Sequence, residues 1–216
     1  MQKVEPTLTM DVKRFKKLRP YLFHLTAKAN IDSIRESKKL RSAAYHLNQA
    51  GQTELIQIRR ADSTVVTVGG QDIHIRDQSP LYENNIDFKS GWTFPRFLEC
   101  LNGLVFFWPG SYESPIPYGQ RHFERYSSEP VFVLIINTSD MFKTNSDPLF
   151  CKFNSGSPRC NDGKGSPRGP GTFCSADSAN FTPGSVKEVV FKDLVLLPDS
   201  TMIADPHCLS ARSLLF

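Results

Sequence analysis

Twelve residues near the start of the chain constrain its fold more than any other stretch: Phe23-His24-Leu25-Thr26-Ala27-Lys28-Ala29-Asn30-Ile31-Asp32-Ser33-Ile34. The basic pattern of residues 10–19 reads as a helix, and Pro20 ends it, because the residue before a proline is pushed out of the helical region. Tyr21 to Leu25 then reads as a strand. Strand side chains alternate between faces, so His24 and Thr26 share one. Asn30 reads as the N-cap of a short helix carrying Ile31, Ile34 and Leu40. A polar pair on one strand face, next to a helix start, suits a nucleotide-like ligand. The plainer alternative is a satisfied core histidine beside a strand threonine.

The rest of the chain keeps changing period. Ser42 to Ala50 suggests a helix stopped by Gly51. Leu55 to Arg60 and Thr64 to Val68 look like short strands, and Gly69-Gly70 is a turn before the alternating Ile73-His74-Ile75-Arg76. Residues 92–101 predict a helix bearing Trp92, Phe97 and Leu101. Val105 to Trp108 predicts a strand that stops at Pro109-Gly110. Val131 to Ile136 is the strongest strand signal in the chain. Residues 144–185 lose all periodicity, are rich in Gly, Ser and Pro, and repeat Ser-Pro-Arg at 157–159 and 166–168. Strand character returns at Val186 to Phe191 and Leu194 to Leu197. The expectation is one α+β domain over residues 1–216 with a long flexible insertion at about 144–185.

Charge and cysteine usage narrow the classes. The formal net charge is +4, concentrated in Lys13 to Arg19, Lys38-Lys39 and Arg41, which permits nucleic-acid contact without demanding it. No apolar run approaches the roughly 18 residues that span a bilayer, and Met1 to Arg19 lacks an apolar signal core, so neither a membrane partner nor export is expected. The 5 cysteines are scattered, which fits a reducing cytoplasm better than a disulfide framework. Cys151, Cys160, Cys174 and His207-Cys208 include no close cysteine pair, so no metal is expected. Phosphate-binding glycine loops and nucleophile-elbow serines are lacking too.

Two further positions carry chemistry. Glu188 interrupts the apolar run Val186-Lys187-Glu188-Val189-Val190-Phe191 and shares a face with Val186 and Val190. Pointing outward, it is ordinary; pointing into a cleft, its pKa would rise and poise it as a general base. Arg59-Arg60 closes an apolar segment, where an arginine can grip phosphate or carboxylate bidentately. Period two from Ile56 and Ile58 puts Arg60, rather than Arg59, on the interior face.

Phe23 to Ile34 resembles the opening motif of the DarT-type DNA ADP-ribosyltransferases: aromatic, His, aliphatic, Thr, three variable residues, Asn, aliphatic, variable, Ser, Ile. The family follows it with a basic strand end and an apolar–Asp–aromatic–x–Pro element, similar to Ile58-Arg59-Arg60 and to Ile75-Arg76-Asp77-Gln78-Ser79-Pro80 here. Its catalytic glutamate lies early in an apolar strand behind a substrate loop, as Glu188 does. The resemblance implies a divergent branch of that fold, a split β-sandwich of two small sheets with flanking helices. It implies NAD as co-substrate, no metal, and a nucleic-acid base as acceptor, with single-stranded DNA favoured. His24, Leu25, Thr26, Asn30 and Ser33 would bind NAD. Glu188, with Arg60 or Arg59, would be catalytic. Arg159, Lys164 and Arg168 would bring positive charge to the acceptor, and Phe181 or Phe173 would stack on its base. A cytoplasmic toxin or anti-phage factor with an antitoxin partner would follow from the same likeness. A protein-directed transferase, an NAD glycohydrolase and a non-enzymatic binding module of the same fold stay open.

Overall fold

A computed structural model describes residues 10–160 and 162–216. The first half runs α1 (Val12–Leu18), β1 (Tyr21–Ala27), α2 (Ile31–Ser37), β2 (Lys39–Arg41), α3 (Ala43–Gln49), β3 (Thr64–Val68), β4 (Gln71–Ile75), β5 (Ile86–Phe88) and α4 (Phe94–Asn102). Then come β6 (Leu104–Gly110), α5 (Pro117–Arg125), β7 (Val131–Asn137), α6 (Thr138–Thr144), β8 (Leu149–Cys151) and β9 (Ser166–Arg168). The chain ends with β10 (Glu188–Lys192), β11 (Leu194–Leu196), β12 (Met202–Asp205) and β13 (Cys208–Leu214). The class is α+β, as the pattern predicts. A seven-stranded sheet in the order β13-β12-β7-β1-β6-β10-β8 is joined by the two-stranded pairs β11-β2, β3-β4 and β5-β9.

The core follows from side-chain alternation. In β7, Leu134 and Ile136 face one apolar cluster while Val131, Val133 and Ile135 face another. A strand covered on both sides needs an unbroken apolar run, and β7 has the strongest one. The larger cluster seats Phe15 of α1 and Ile31 and Ile34 of α2 against Leu22, Phe107 and Val189 of the sheet. Asp11 caps α1 by accepting from the Arg14 N–H at 3.0 Å, and Ser42 caps α3 by accepting from Tyr45 N–H at 3.1 Å.

β6 holds the sheet together and also divides it. Trp108, Pro109 and Gly110 pair with Phe23, Leu22 and Tyr21 of β1. Leu104 to Phe107 pair instead with Lys192 to Val189 of β10. The strand therefore changes partner between Phe107 and Trp108, and β1 beyond Phe23 keeps only β7 beside it.

Several sequence expectations need correcting. Leu55 to Arg60 is not a strand: Thr53–Gln57 form a 3-10 turn, with Ile56 buried and Ile58 53% exposed. Short apolar runs cannot be assigned by periodicity alone. Leu40 lies in β2 rather than on the preceding helix. β6 does not stop at Pro109-Gly110. The Pro109 carbonyl accepts from Ile116 N–H at 2.9 Å, so its nitrogen, on the same side, faces away from β1 and its missing N–H breaks no rung there. Gly110 is required by close approach, since a Cβ would lie 2.2 Å from Ser114 O. Segment 144–185 contains β8 and β9 and buries Ser155, Arg168 and Phe181. The polar hairpin β12-β13 carried no alternation signal, because β13 is a largely exposed edge strand.

Candidate functional site

A cavity of about 740 Å³ opens where β1 and β6 part. His24, Leu25 and Thr26 line it from β1, Asn30 from the turn before α2, Ser33 from α2, Arg60 from the segment after the 3-10 turn at Thr53–Gln57, and Glu188 from β10. Residues separated by more than 160 positions thus face one space. Lys164, Arg168, Phe181 and Arg59 are not among its lining; Arg159 is.

His24 occupies the first β1 position past the last rung to β6. Its Nδ1 lies 2.9 Å from the Phe106 carbonyl oxygen. A carbonyl only accepts, so Nδ1 carries the proton and Nε2 is left as an acceptor. Burial pushes the imidazole pKa down to about 4, with the Phe106 bond opposing and Arg76 reinforcing that shift. The ring is therefore neutral at physiological pH.

Asn30 is not a helix cap. It has helical φ and ψ and makes no capping bond, because a 3-10 turn over Lys28–Asn30 already leads into α2. Its amide instead clamps the β4 backbone, donating to His74 O at 2.9 Å and accepting from His74 N–H at 2.9 Å. It fixes the β4 wall to the end of β1.

Glu188 opens β10 opposite Cys151 and is 3% exposed. One carboxylate oxygen, Oε1, accepts from Ser155 N–H at 3.0 Å, while the buried Oε2 has no partner. Burial drives its pKa up to about 7, against the opposing pull of Ser155 and the Arg168 charge. A carboxyl half-ionised near neutrality, with one free oxygen, can accept or return a proton.

The two arginines separate. Arg60 is 9% exposed and anchored through Nε to Arg76 O at 3.1 Å and Nη2 to Asn102 Oδ1 at 2.9 Å. Its Nη1 is buried without a partner. Burial lowers its pKa to about 10, so it stays cationic. Arg59 turns away, donating to Ser79 O at 2.7 Å and lying over the Tyr82 ring. Arg60 is inside as expected, but strand alternation is not the cause. Its N–H is held by Gln78 Oε1 at 3.2 Å, and Asn102 at the end of α4 receives its guanidinium.

Four residues assigned to the acceptor lie outside the cavity lining. Phe181 is 6% exposed within the main apolar cluster, so it has no face for a base. Arg168 is 2% exposed, donating to Ser166 Oγ, Pro167 O and Asn154 O at 2.7, 2.9 and 3.0 Å, with its guanidinium over Phe153. It braces the Asn154–Ser155 backbone that in turn holds Glu188. Lys164 is exposed and Phe173 packs edge-on against Phe106.

Sequence reasoning missed a second wall. Tyr118, His122 and Tyr126 recur every four residues along and just past α5, and all three line the cavity with Trp108 and Arg76. That spacing was a readable helical signal. Among the described residues no group of three or more His, Cys, Asp or Glu is placed to hold a metal, and no helix is long and apolar enough to cross a membrane. All 5 cysteines are free thiols.

No curated protein and no solved structure matches this chain. Residues 20–199, which include β1, Arg60 and Glu188, match DUF7002, described as a family of unknown function, and the chain belongs to that family.

Proposed function

We propose that this chain is an NAD-dependent ADP-ribosyltransferase with a split-sheet transferase fold, modifying a nucleic-acid base, single-stranded DNA being the favoured acceptor. One observation carries the reading. Glu188 lines the same cavity as His24, Thr26 and Asn30, at the point where β6 leaves β1 for β10. The resemblance in the first motif concerned local sequence; the shared cavity is an independent tertiary fact that agrees with it. The cavity is also of the size that ligand sites occupy, and Arg60 Nη1 and Glu188 Oε2 offer it an unpartnered donor and acceptor.

When bound, NAD supplies the ADP-ribosyl group, with nicotinamide as the leaving group. The neutral His24 would accept a hydrogen bond from a ribose hydroxyl at Nε2, because Nδ1 donates to Phe106 O. Ser155 N–H fixes Glu188 Oε1 and leaves Oε2 toward the substrate. Ionised Glu188 would face the positive charge that develops at the anomeric carbon as its bond to nicotinamide breaks, and would take the proton that the acceptor atom loses as it bonds to that carbon. Arg60 directs its spare N–H edge at the substrate from a fixed guanidinium. Tyr118, whose ring carries Arg121 at 4.8 Å and Lys187 at 5.2 Å from its centre, holds two cations beside the cavity, where they suit the phosphates of a nucleic-acid acceptor. Arg159 adds charge on the same cavity rim.

The test is incubation with NAD labelled in its ADP-ribose half, offered single-stranded DNA, RNA and protein together. Label on DNA that vanishes in Glu188→Gln is the expected result. Label on protein alone refutes the nucleic-acid acceptor, and intact NAD with every acceptor refutes the enzyme reading.

A further inference from the structure

The wall where β4, β6 and α5 meet contains buried N–H groups without a hydrogen-bond partner. Arg76 follows β4; its guanidinium lies 4.1 Å from the Tyr126 ring centre, and its Nη1 is buried without a hydrogen-bond partner. A half-exposed carboxylate, Glu129 Oε2, forms an ion pair with it at 3.7 Å, too long for a hydrogen bond, so the N–H itself is still unsatisfied. Trp108, where β6 changes partner, likewise buries an unpartnered Nε1–H. The His122 ring sits between them, 4.2 Å from the Trp108 ring centre and 4.9 Å from that of Tyr126.

These groups share a chemical bias. Arginine and the indole N–H only donate. Asp77, the carboxylate next to Arg76 in sequence, is already engaged by Ser79 N–H at 2.8 Å and by the Tyr126 hydroxyl. Arg121 and Arg125 bring further positive charge to the same wall. Buried donors without acceptors are costly to keep, so a ligand rich in acceptor oxygens is the natural occupant. A planar guanidinium suits phosphoryl oxygens better than a point charge would.

We propose that Arg76 and Trp108, with His122 packed between the Trp108 and Tyr126 rings, form a phosphoryl-anion subsite that takes a diphosphate group. The subsite stands on the orphaned donors; naming the dinucleotide as the molecule that carries the diphosphate rests on the function proposed above. It also divides labour between the arginines. Arg76 holds the anion, and Arg60, whose guanidinium is already tied to Arg76 O and Asn102, faces the reacting end.

The experiment is calorimetric titration of the full chain with inorganic pyrophosphate, in Arg76→Met, Trp108→Phe and Arg60→Met beside the wild type. The expected result is saturable binding by the wild type, weakened about ten- to a hundredfold by Arg76→Met and severalfold by Trp108→Phe. Circular dichroism establishes that each variant is folded, and Trp108→Phe carries the test if Arg76→Met is not. No binding by the wild type, or a loss confined to Arg60→Met, overturns the subsite. Competition separates the two readings. Displacement by ADP-ribose supports both; pyrophosphate that depends on Arg76 but is displaced by neither ADP-ribose nor NAD leaves the subsite standing and removes the dinucleotide.

Discussion

Replacing Glu188 with glutamine should make the protein more stable while removing its proposed activity. The carboxyl is buried, has one oxygen without a partner, and its pKa is raised to about 7 from an ordinary 4.5. A group whose folded pKa lies above its unfolded pKa favours the folded state below the lower value and loses that contribution as pH rises through the higher one. At pH 8 the native protein must ionise Glu188 in place, which costs about 3 kcal/mol relative to the unfolded chain at 1.36 kcal/mol per pKa unit. Glutamine keeps an oxygen for Ser155 N–H and carries no charge. Urea unfolding of Glu188→Gln should therefore show a gain of about 3 kcal/mol at pH 8, shrinking to under about 1 kcal/mol at pH 5. In a chain of this size that is a rise in melting temperature of roughly 6–12 °C at the higher pH. A gain equal at pH 5 and pH 8, or a loss at pH 8, would refute the argument that burial of an ionisable carboxyl is what the site maintains. The trade is expected of a catalytic group held in a poorly solvated place.

Other outcomes follow from the same geometry. Nicotinamide release should rise with pH through a single step near 7, as Glu188 ionises, with no second inflection from His24 between pH 5 and 9, because His24 titrates near 4; a pH–rate profile with a histidine step in that window would contradict the neutral tautomer. Arg168→Met strips Ser166, Pro167 and Asn154 of their donor and should destabilise the fold by about 2–4 kcal/mol, as buried acceptors left without a charged donor do. Where this variant stays folded, its rate step should move above pH 7, because the cation that opposes the Glu188 shift is gone; an unmoved step would show that Arg168 does not act on Glu188. Gly110→Ala should cost about 1–3 kcal/mol from overpacking against Ser114 and Pro115, read as a lowered urea midpoint, and an unchanged midpoint would mean the 110–115 turn yields freely.

Much of the scaffold was legible because it obeys a period. β1, β7, β10 and the β3-β4 hairpin follow from apolar alternation or apolar runs bounded by turn residues, and α1, α3 and α4 from helical patterning with stops at Pro20 and Gly51. Failures came where local pattern was ambiguous or absent. Leu55 to Arg60 had a strand's composition but became a 3-10 turn. β13 is an edge strand with polar residues on both faces. Arg168 and Phe181 sat in a stretch whose composition read as exposed loop, yet both are buried, one by a set of backbone carbonyls and the other by the main apolar cluster.

The chain's own sequence determined the class of the fold, the polar face of β1 and the presence of a carboxylate inside a core-type strand, because strand alternation and apolar runs are local and need no knowledge of distant residues. Tertiary structure alone decided where those groups meet. The partner change of β6 between Phe107 and Trp108 opens the cavity, and only that break lets Glu188, Arg60 and His24 line one space. The acid–base character of Glu188 and the neutrality of His24 also arise there, because pKa values answer to burial and neighbouring charge, which depend on what the rest of the chain packs around them.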